Sequence, residues 1–338
     1  MASHQAKTTR TNLAFFLLGI FVTLCILSVF TVGSKVFFHW QRGGVPLVTG
    51  EQDLDQIMRT DIDLFWTLVP NLKDKKVTET LANAENTPST YRYSTNELGF
   101  RSPPLFPAGS RFRILAIGDS TTFGQHVADN ETWPAQLQQV LDPKAEFIEV
   151  INAGIIGASS FQGLAFLRTR GLALQPNLVI TTFGFNDWAG AELSDRERAA
   201  AYQRRGMSGL LGLVLGSGKS YGNKKNELVQ RATAGEYLDH MLAIAHLCEE
   251  NFIPVIFIIW PKPYDPKDPE DNQLPYMRLL MAACHISTAD CFDPRPIFRT
   301  AMEPVFIDWV HATPAGCRII AESLATHLKK YPWMPAIQ

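Results

Sequence analysis

Metal-ligand spacing is missing from this 338-residue chain: its eight histidines are scattered, its five cysteines form no CxxC, and there is no HExxH. Such a pattern offers metal chemistry no foothold, and no metal is expected. Excess positive charge is missing as well. Lys and Arg number 31 against 33 Asp and Glu, a formal net charge of −2, and no basic cluster is interleaved with aromatics. That excludes the electrostatic footprint of a nucleic-acid binder. No internal repeat is present, so solenoids and propellers are set aside. A disordered chain is excluded by the 46% hydrophobic content, which can bury a sizeable core. Cysteine is sparse. Cys25 lies in an apolar run, and Cys248, Cys284, Cys291 and Cys317 allow three full pairings. Free buried thiols are the default reading, although Cys284 and Cys291 are close enough in sequence for an exported domain to oxidise them.

One long hydrophobic run stands out. "LAFFLLGIFVTLCILSVFTVG", Leu13 to Gly33, holds no charged residue and has the length of a bilayer span. Lys7 and Arg10 precede it with no acid, which places residues 1–12 in the cytoplasm and the remainder in the periplasm or outside the cell, against the opposing pull of Lys35 and Arg42. A cleaved signal peptide is the other reading. Its apolar region would be shorter and followed by a small-residue cleavage site, which "VGSKVFFHW" supplies poorly, so a retained anchor is expected. Residues 34–110 read as an irregular juxtamembrane region packing on the main domain, with turn-rich stretches such as "ANAENTPST".

From 111 to 332 the pattern becomes regular. "RILAI" (113–117), "FIEVI" (147–151), "LVITTF" (178–183) and "PVIFII" (254–259) are short apolar, β-branched runs suited to fully buried strands. Helical stretches separate them, with Thr132 as N-cap of "WPAQLQQVL", Gly171 ending "FQGLAFLRTRG", and Thr233 with Glu236 as a capping box. This alternation predicts a three-layer α/β/α sandwich with a central parallel, flavodoxin-like sheet, preceded by the one transmembrane helix. Residues 191–232 break the rhythm with an apolar centre and basic, Gly-rich ends. They read as a packed helical insertion, with a lid or a membrane-surface contact as the alternative.

In such a sheet ligands bind beyond the carboxyl ends of the strands. Three loops fall there: Gly118-Asp119-Ser120, "NAGIIGASS" with Gly154 and Gly157, and Gly184-Phe185-Asn186-Asp187. Far along the chain Asp308 and His311 precede Thr313 and Pro314, which make an N-cap and first turn for a last helix. Taken singly, Ser120 reads as a helix cap, His311 as a structural histidine, and Asn186 and Asp187 as turn residues. Together they are a set for acyl transfer. Asp119 reads as bracing its turn. His126 has no carboxylate matched to it as Asp308 is to His311, and a loop-surface role is expected for it. Trp188, Trp260 and Trp309 flank the same edge, placed either to stack on a sugar or to fill the core.

These four blocks resemble the SGNH/GDSL hydrolases, over about residues 95–330 and including "NELGFRS" upstream. Thr121 stands where the name-giving motif has Leu, and the insertion has no fixed counterpart in that family. The resemblance implies a serine esterase without a cofactor: Ser120 as nucleophile, His311 as base, Asp308 orienting it, and an oxyanion hole from the backbone N–H of Ser120 and Gly157 and the side chain of Asn186. Its expected partners are a small ester or acylated carbohydrate and the membrane through residues 13–33. A different class of function fits the same fold, that of a non-catalytic accessory subunit in a larger membrane complex.

Overall fold

A computed structural model describes residues 54–80, 88–202, 228–263 and 274–335. The expected anchor at 13–33 and the centre of the 191–232 insertion lie outside these residues. Among the described residues no helix is long and apolar enough to cross a membrane. The chain divides into two compact units, 1–45 with 200–225 and 46–199 with 226–338. Among the described residues, all eleven strands belong to the second.

Two antiparallel hairpins come first, where an irregular segment was expected: β1 (Met58–Asp61) with β2 (Phe65–Leu68), and β3 (Lys75–Thr80) with β4 (Pro88–Tyr93). Their signal in the sequence is weak for a physical reason. The strands are four or six residues long, and along β3 the alternate buried positions are Val77 and Glu79, so one of the inward side chains is an acid.

The apolar runs then build the central sheet. β5 (Phe112–Gly118), β6 (Ile148–Gly154), β7 (Leu178–Thr182), β10 (Val255–Ile258) and β11 (Asp290–Phe292) are all parallel, in the order β11-β10-β7-β5-β6. Between β7 and β10 the short strands β8 (Gly190–Ala191) and β9 (Val229–Gln230) pair across the ends of the insertion. The central order is the doubly wound one, with its switch point between β5 and β7. β11 escapes the sequence pattern because its three residues, "DCF", include only one that is fully buried.

Both faces of the sheet are covered. Ile114, Ile148, Ile180 and Ile256 form one cluster with Trp133, Leu137, Ile320 and Leu324. Trp133 and Leu137 lie on the helix Trp133–Leu141, Ile320 and Leu324 on the helix Pro314–Leu328. The alternate strand residues Leu115, Ile117, Ile151, Val179 and Phe257 are buried as well, as period-two alternation under two helical layers requires. Caps fall where the polar residues put them. Thr132, Thr233 and Thr313 each accept a backbone N–H at the start of their helices, and Glu236 completes the capping box at Thr233.

Cys284 and Cys291 are joined by a disulfide, which replaces the free thiols expected there; the seven-residue separation brings their Cα atoms to 5.8 Å, within bonding reach. Cys248 and Cys317 are free and buried.

Gly154 shows why the end of β6 has no side chain. A Cβ there would lie 2.2 Å from the Phe123 backbone nitrogen and 2.7 Å from the Thr122 carbonyl carbon. Backbone atoms cannot rotate away, so Gly154→Ala is expected to destabilise the fold by about 1–3 kcal/mol. A lowered midpoint in urea unfolding checks this; an unchanged midpoint would contradict the packing described.

Candidate active site

Each of the three sheet-edge loops arrives on a short helix. After β5, α1 (Ser120–Phe123) begins with Asp119 as its N-cap: the carboxylate accepts the Thr121 N–H at 2.8 Å and its hydroxyl at 2.7 Å. Asp119 thus braces the turn as expected. Burial raises its pKa, against hydrogen bonds from Thr121 and the charge of His311. Ser120 is therefore the first residue of a helix and sits with 7% of its surface exposed.

Its hydroxyl lies 2.9 Å from His311 Nε2, and His311 Nδ1 lies 2.6 Å from Asp308 Oδ2. The other Asp308 oxygen accepts the backbone N–H groups of Val310 and His311, at 2.8 and 2.7 Å. Burial alone would raise the Asp308 pKa, but these hydrogen bonds and the imidazole hold it down at about 2. The carboxylate stays ionised at neutral pH and fixes the ring so that Nε2 faces the serine hydroxyl.

Around the serine, two backbone donors are uncommitted: among the described residues no acceptor is paired with the N–H of Ser120 or of Gly157. Gly157 has φ +73°, a left-handed conformation that glycine adopts without strain. A Cβ there would meet only Trp66, at 3.5 Å, so backbone conformation rather than crowding selects this glycine. The Asn186 amide, expected to serve as an oxyanion donor, already has partners of its own. Its Nδ2 donates to Asp119 Oδ2 at 3.2 Å and to the Ala158 carbonyl at 3.0 Å, tying together the loops after β5, β6 and β7.

His126 also departs from expectation. It is buried rather than on a loop surface, and it does have a carboxylate: its Nδ1 lies 3.2 Å from Glu79 Oε2, although not aligned for a hydrogen bond. Its ring meets His311 edge to face at 4.9 Å. Burial and the charge of His311 push its pKa down to about 3, so it faces the triad as a neutral ring. Glu79 comes from β3 and is held by Tyr93 at 2.7 Å and Gln125 at 2.5 Å. No signal near His126 in the sequence announces this partner 47 positions upstream, on a hairpin. His126, Asp308 and His311 could bring one ligand atom each within 4.8 Å of one another, but both nitrogens of His311 are already engaged with Asp308 and Ser120.

The rim is aromatic. Trp309 is 39% exposed and packs on Phe185 at 4.2 Å, whereas Trp188 and Trp260 are partly buried, the latter donating to the Val310 carbonyl at 2.8 Å. Beside it lies a small cavity of about 40 Å³, lined among others by Phe183, Phe185, Tyr237, Trp260 and Val310.

Asp187 completes the third loop without facing the serine. It is fully buried, accepts the Ser160 N–H at 3.1 Å and hydroxyl at 2.5 Å, and accepts the Gly184 N–H at 3.1 Å. Burial raises its pKa to about 6 despite those hydrogen bonds. A carboxyl whose pKa is higher folded than unfolded binds its proton more tightly in the native state, so its contribution is complete below about pH 4 and lost as pH rises through about 6. Asp187→Asn is therefore expected to flatten the decline in stability between pH 4 and 6. Thermal unfolding across that range checks it; a variant with the wild-type slope would contradict it.

The sequence pattern of the "GDSL-like Lipase/Acylhydrolase family" matches residues 116–319, more than half of the chain. The chain is 35% identical over 82 residues to "Thioesterase 1/protease 1/lysophospholipase L1" of Escherichia coli K12, a match covering 24% of this chain and 38% of that protein. Similar solved structures include a G-D-S-L family protein described as a putative lipolytic protein from Desulfitobacterium hafniense DCB-2, at 18% identity, covering 64% of this chain and 99% of that one, with TM-score 0.45. Another is the acetyl xylan esterase AlAXEase, at 16% identity, the same coverage and TM-score 0.46. On the family match, which spans the serine and histidine loops, this chain belongs to the GDSL-like lipase/acylhydrolase family.

Proposed function

We propose that the protein is a serine esterase in which Ser120 is the nucleophile. The observation that carries this is the unbroken hydrogen-bonded series from Asp308 through His311 to Ser120, next to two unpaired backbone N–H groups. A serine hydroxyl is a weak nucleophile at neutral pH, and His311 Nε2 is within reach to take its proton. As Ser120 Oγ attacks the ester carbonyl, the proton passes to His311 and the negative charge collects on the former carbonyl oxygen. The N–H groups of Ser120 and Gly157 receive that oxyanion, and Asn186 joins them by releasing its longer bond, to Asp119. His311 then protonates the departing alcohol, leaving an acyl-Ser120. Water, deprotonated by His311, attacks the acyl-enzyme; as the bond from Ser120 Oγ to the acyl carbon breaks, His311 returns that proton to Ser120 Oγ and the acid leaves. A sugar hydroxyl in place of that water would make the same site a transferase.

The substrate class proposed is an acylated carbohydrate of the cell envelope, carrying acetyl or another short acyl group. The exposed Trp309 on Phe185 offers an apolar face for a sugar ring beside the base. Anchoring through residues 13–33, with the domain outside the cytoplasm, would bring it to such substrates. The Cys284–Cys291 disulfide is in keeping with an oxidising compartment.

Hydrolysis of an aryl acetate by the purified chain, beside its variants, tests the reading. Ser120→Ala is expected to abolish turnover above background and Asp308→Asn to lower kcat by about 10⁴-fold. Asn186→Ala is expected to lower kcat by about 10²–10³-fold. Equal rates for wild type and Ser120→Ala would reject the esterase and leave the accessory subunit as the reading.

A further inference from the structure

The family match begins at residue 116, yet a residue well upstream of it reaches the loop after β6. Trp66, in β2 and 5% exposed, donates its indole N–H to the Ile156 carbonyl at 2.9 Å. That carbonyl belongs to the same peptide unit as the Gly157 N–H. The chain's described peptide bonds include no cis form, and a trans peptide points its C=O and N–H in opposite directions. Holding the Ile156 oxygen therefore sets the direction of the Gly157 N–H, a donor with no partner among the described residues.

The next peptide is held as well. Arg231 donates through Nη1 to the Gly157 carbonyl, through Nη2 to Gln162 Oε1 at 2.5 Å, and through Nε and Nη2 to both oxygens of Asp195, at 3.1 and 2.9 Å. Arg231 and Asp195 have 2% and 1% of their side chains exposed. Asp195 in turn accepts the Ser159 hydroxyl, Gln162 accepts the Ser159 N–H at 3.1 Å, and the guanidinium lies 5.3 Å from the Trp66 ring centre. Asp195 and Arg231 stand at the two ends of the insertion, so its flanks and the first hairpin close on one loop.

A buried bidentate pair is poor evidence for stability, since apolar side chains of similar volume often do as well. It does fix geometry. A planar fork that bonds a carboxylate, an amide and a backbone carbonyl together leaves the loop one position.

We propose that Trp66 and Arg231 are positioning residues for the oxyanion hole, Trp66 aiming the Gly157 N–H and Arg231, held by Asp195, fixing the peptide that follows it. The inference rests on the esterase reading above. Misaim of a donor weakens an interaction made with the developing oxyanion and leaves ground-state binding nearly untouched, so its signature is a loss in kcat without a matching rise in KM.

The test is steady-state hydrolysis of an aryl acetate by the full chain and by Trp66→Phe, Arg231→Lys and the paired apolar replacement Asp195→Leu/Arg231→Met, each with its melting curve. Trp66→Phe keeps the aromatic packing and removes the donor; Arg231→Lys keeps the charge and loses the fork. The expected result is a fall in kcat of at least tenfold with KM within about threefold, in every variant that retains a cooperative melt. Any folded variant of the three with kcat within twofold of wild type overturns the proposal, even where its melting point has dropped. Should Trp66→Phe fail to fold, Arg231→Lys and the paired replacement decide by the same thresholds. A wild-type chain with no turnover that depends on Ser120 overturns the esterase reading and this one together; an active wild type matched by its folded variants overturns only this one.

Discussion

The 2.9 Å contact between Ser120 and His311 joins residues 191 positions apart, and much of the fold can be understood as the means of holding it. Neither side chain is placed by its neighbours in sequence alone. Ser120 is set by the end of β5 and by Asp119, which stops the strand and caps α1. His311 is set by a turn that Asp308 closes on the Val310 and His311 N–H groups, just ahead of the Thr313 cap. A shift of either support by an ångström would cost the proton transfer its geometry.

Around that contact the structure divides its carboxyl groups by environment. Asp308 receives three hydrogen bonds and stays ionised, with a pKa of about 2. Asp187, more completely buried than Asp308, has its pKa raised to about 6 by that burial, and Asp119 and Glu79 are raised in the same direction by burial. Only Asp308 touches the imidazole. The buried acids brace loops, and His126, kept neutral by burial, fills the space on the far side of His311 without adding charge to it.

How much of this was legible in the sequence follows from which physical signal each residue leaves. Four of the five central strands are apolar runs bounded by polar loops, so their positions, and with them Ser120, Gly157 and Asn186 at their carboxyl ends, could be read directly. His311 could be read because Asp308, Thr313 and Pro314 announce a loop leading into a helix. Glu79, Trp66 and Arg231 could not. They are buried polar or amphipathic side chains: Trp66 and Arg231 reach partners 90 and 36 or more positions away, Glu79 meets Gln125 and His126 46 and 47 positions on, and neither helical nor strand periodicity encodes such pairings. The segment before β5 concealed its second hairpin for the same reason: inward-facing Glu79 breaks the alternation that would have marked a strand, while the strands of the first hairpin are only four residues long. The bonds that Asn186 makes to Asp119 and Ala158 were likewise invisible, since a motif names a residue and not its partners.

The central claim is that Ser120 is a nucleophile poised to take an acyl group. It is tested most directly by treating the folded chain with a fluorophosphonate and mapping the adduct by mass spectrometry. The account predicts one phosphonyl group, on the peptide that contains Ser120, and no adduct on the Ser120→Ala variant. An unmodified wild-type chain, or an adduct at another residue with Ser120 untouched, would contradict it.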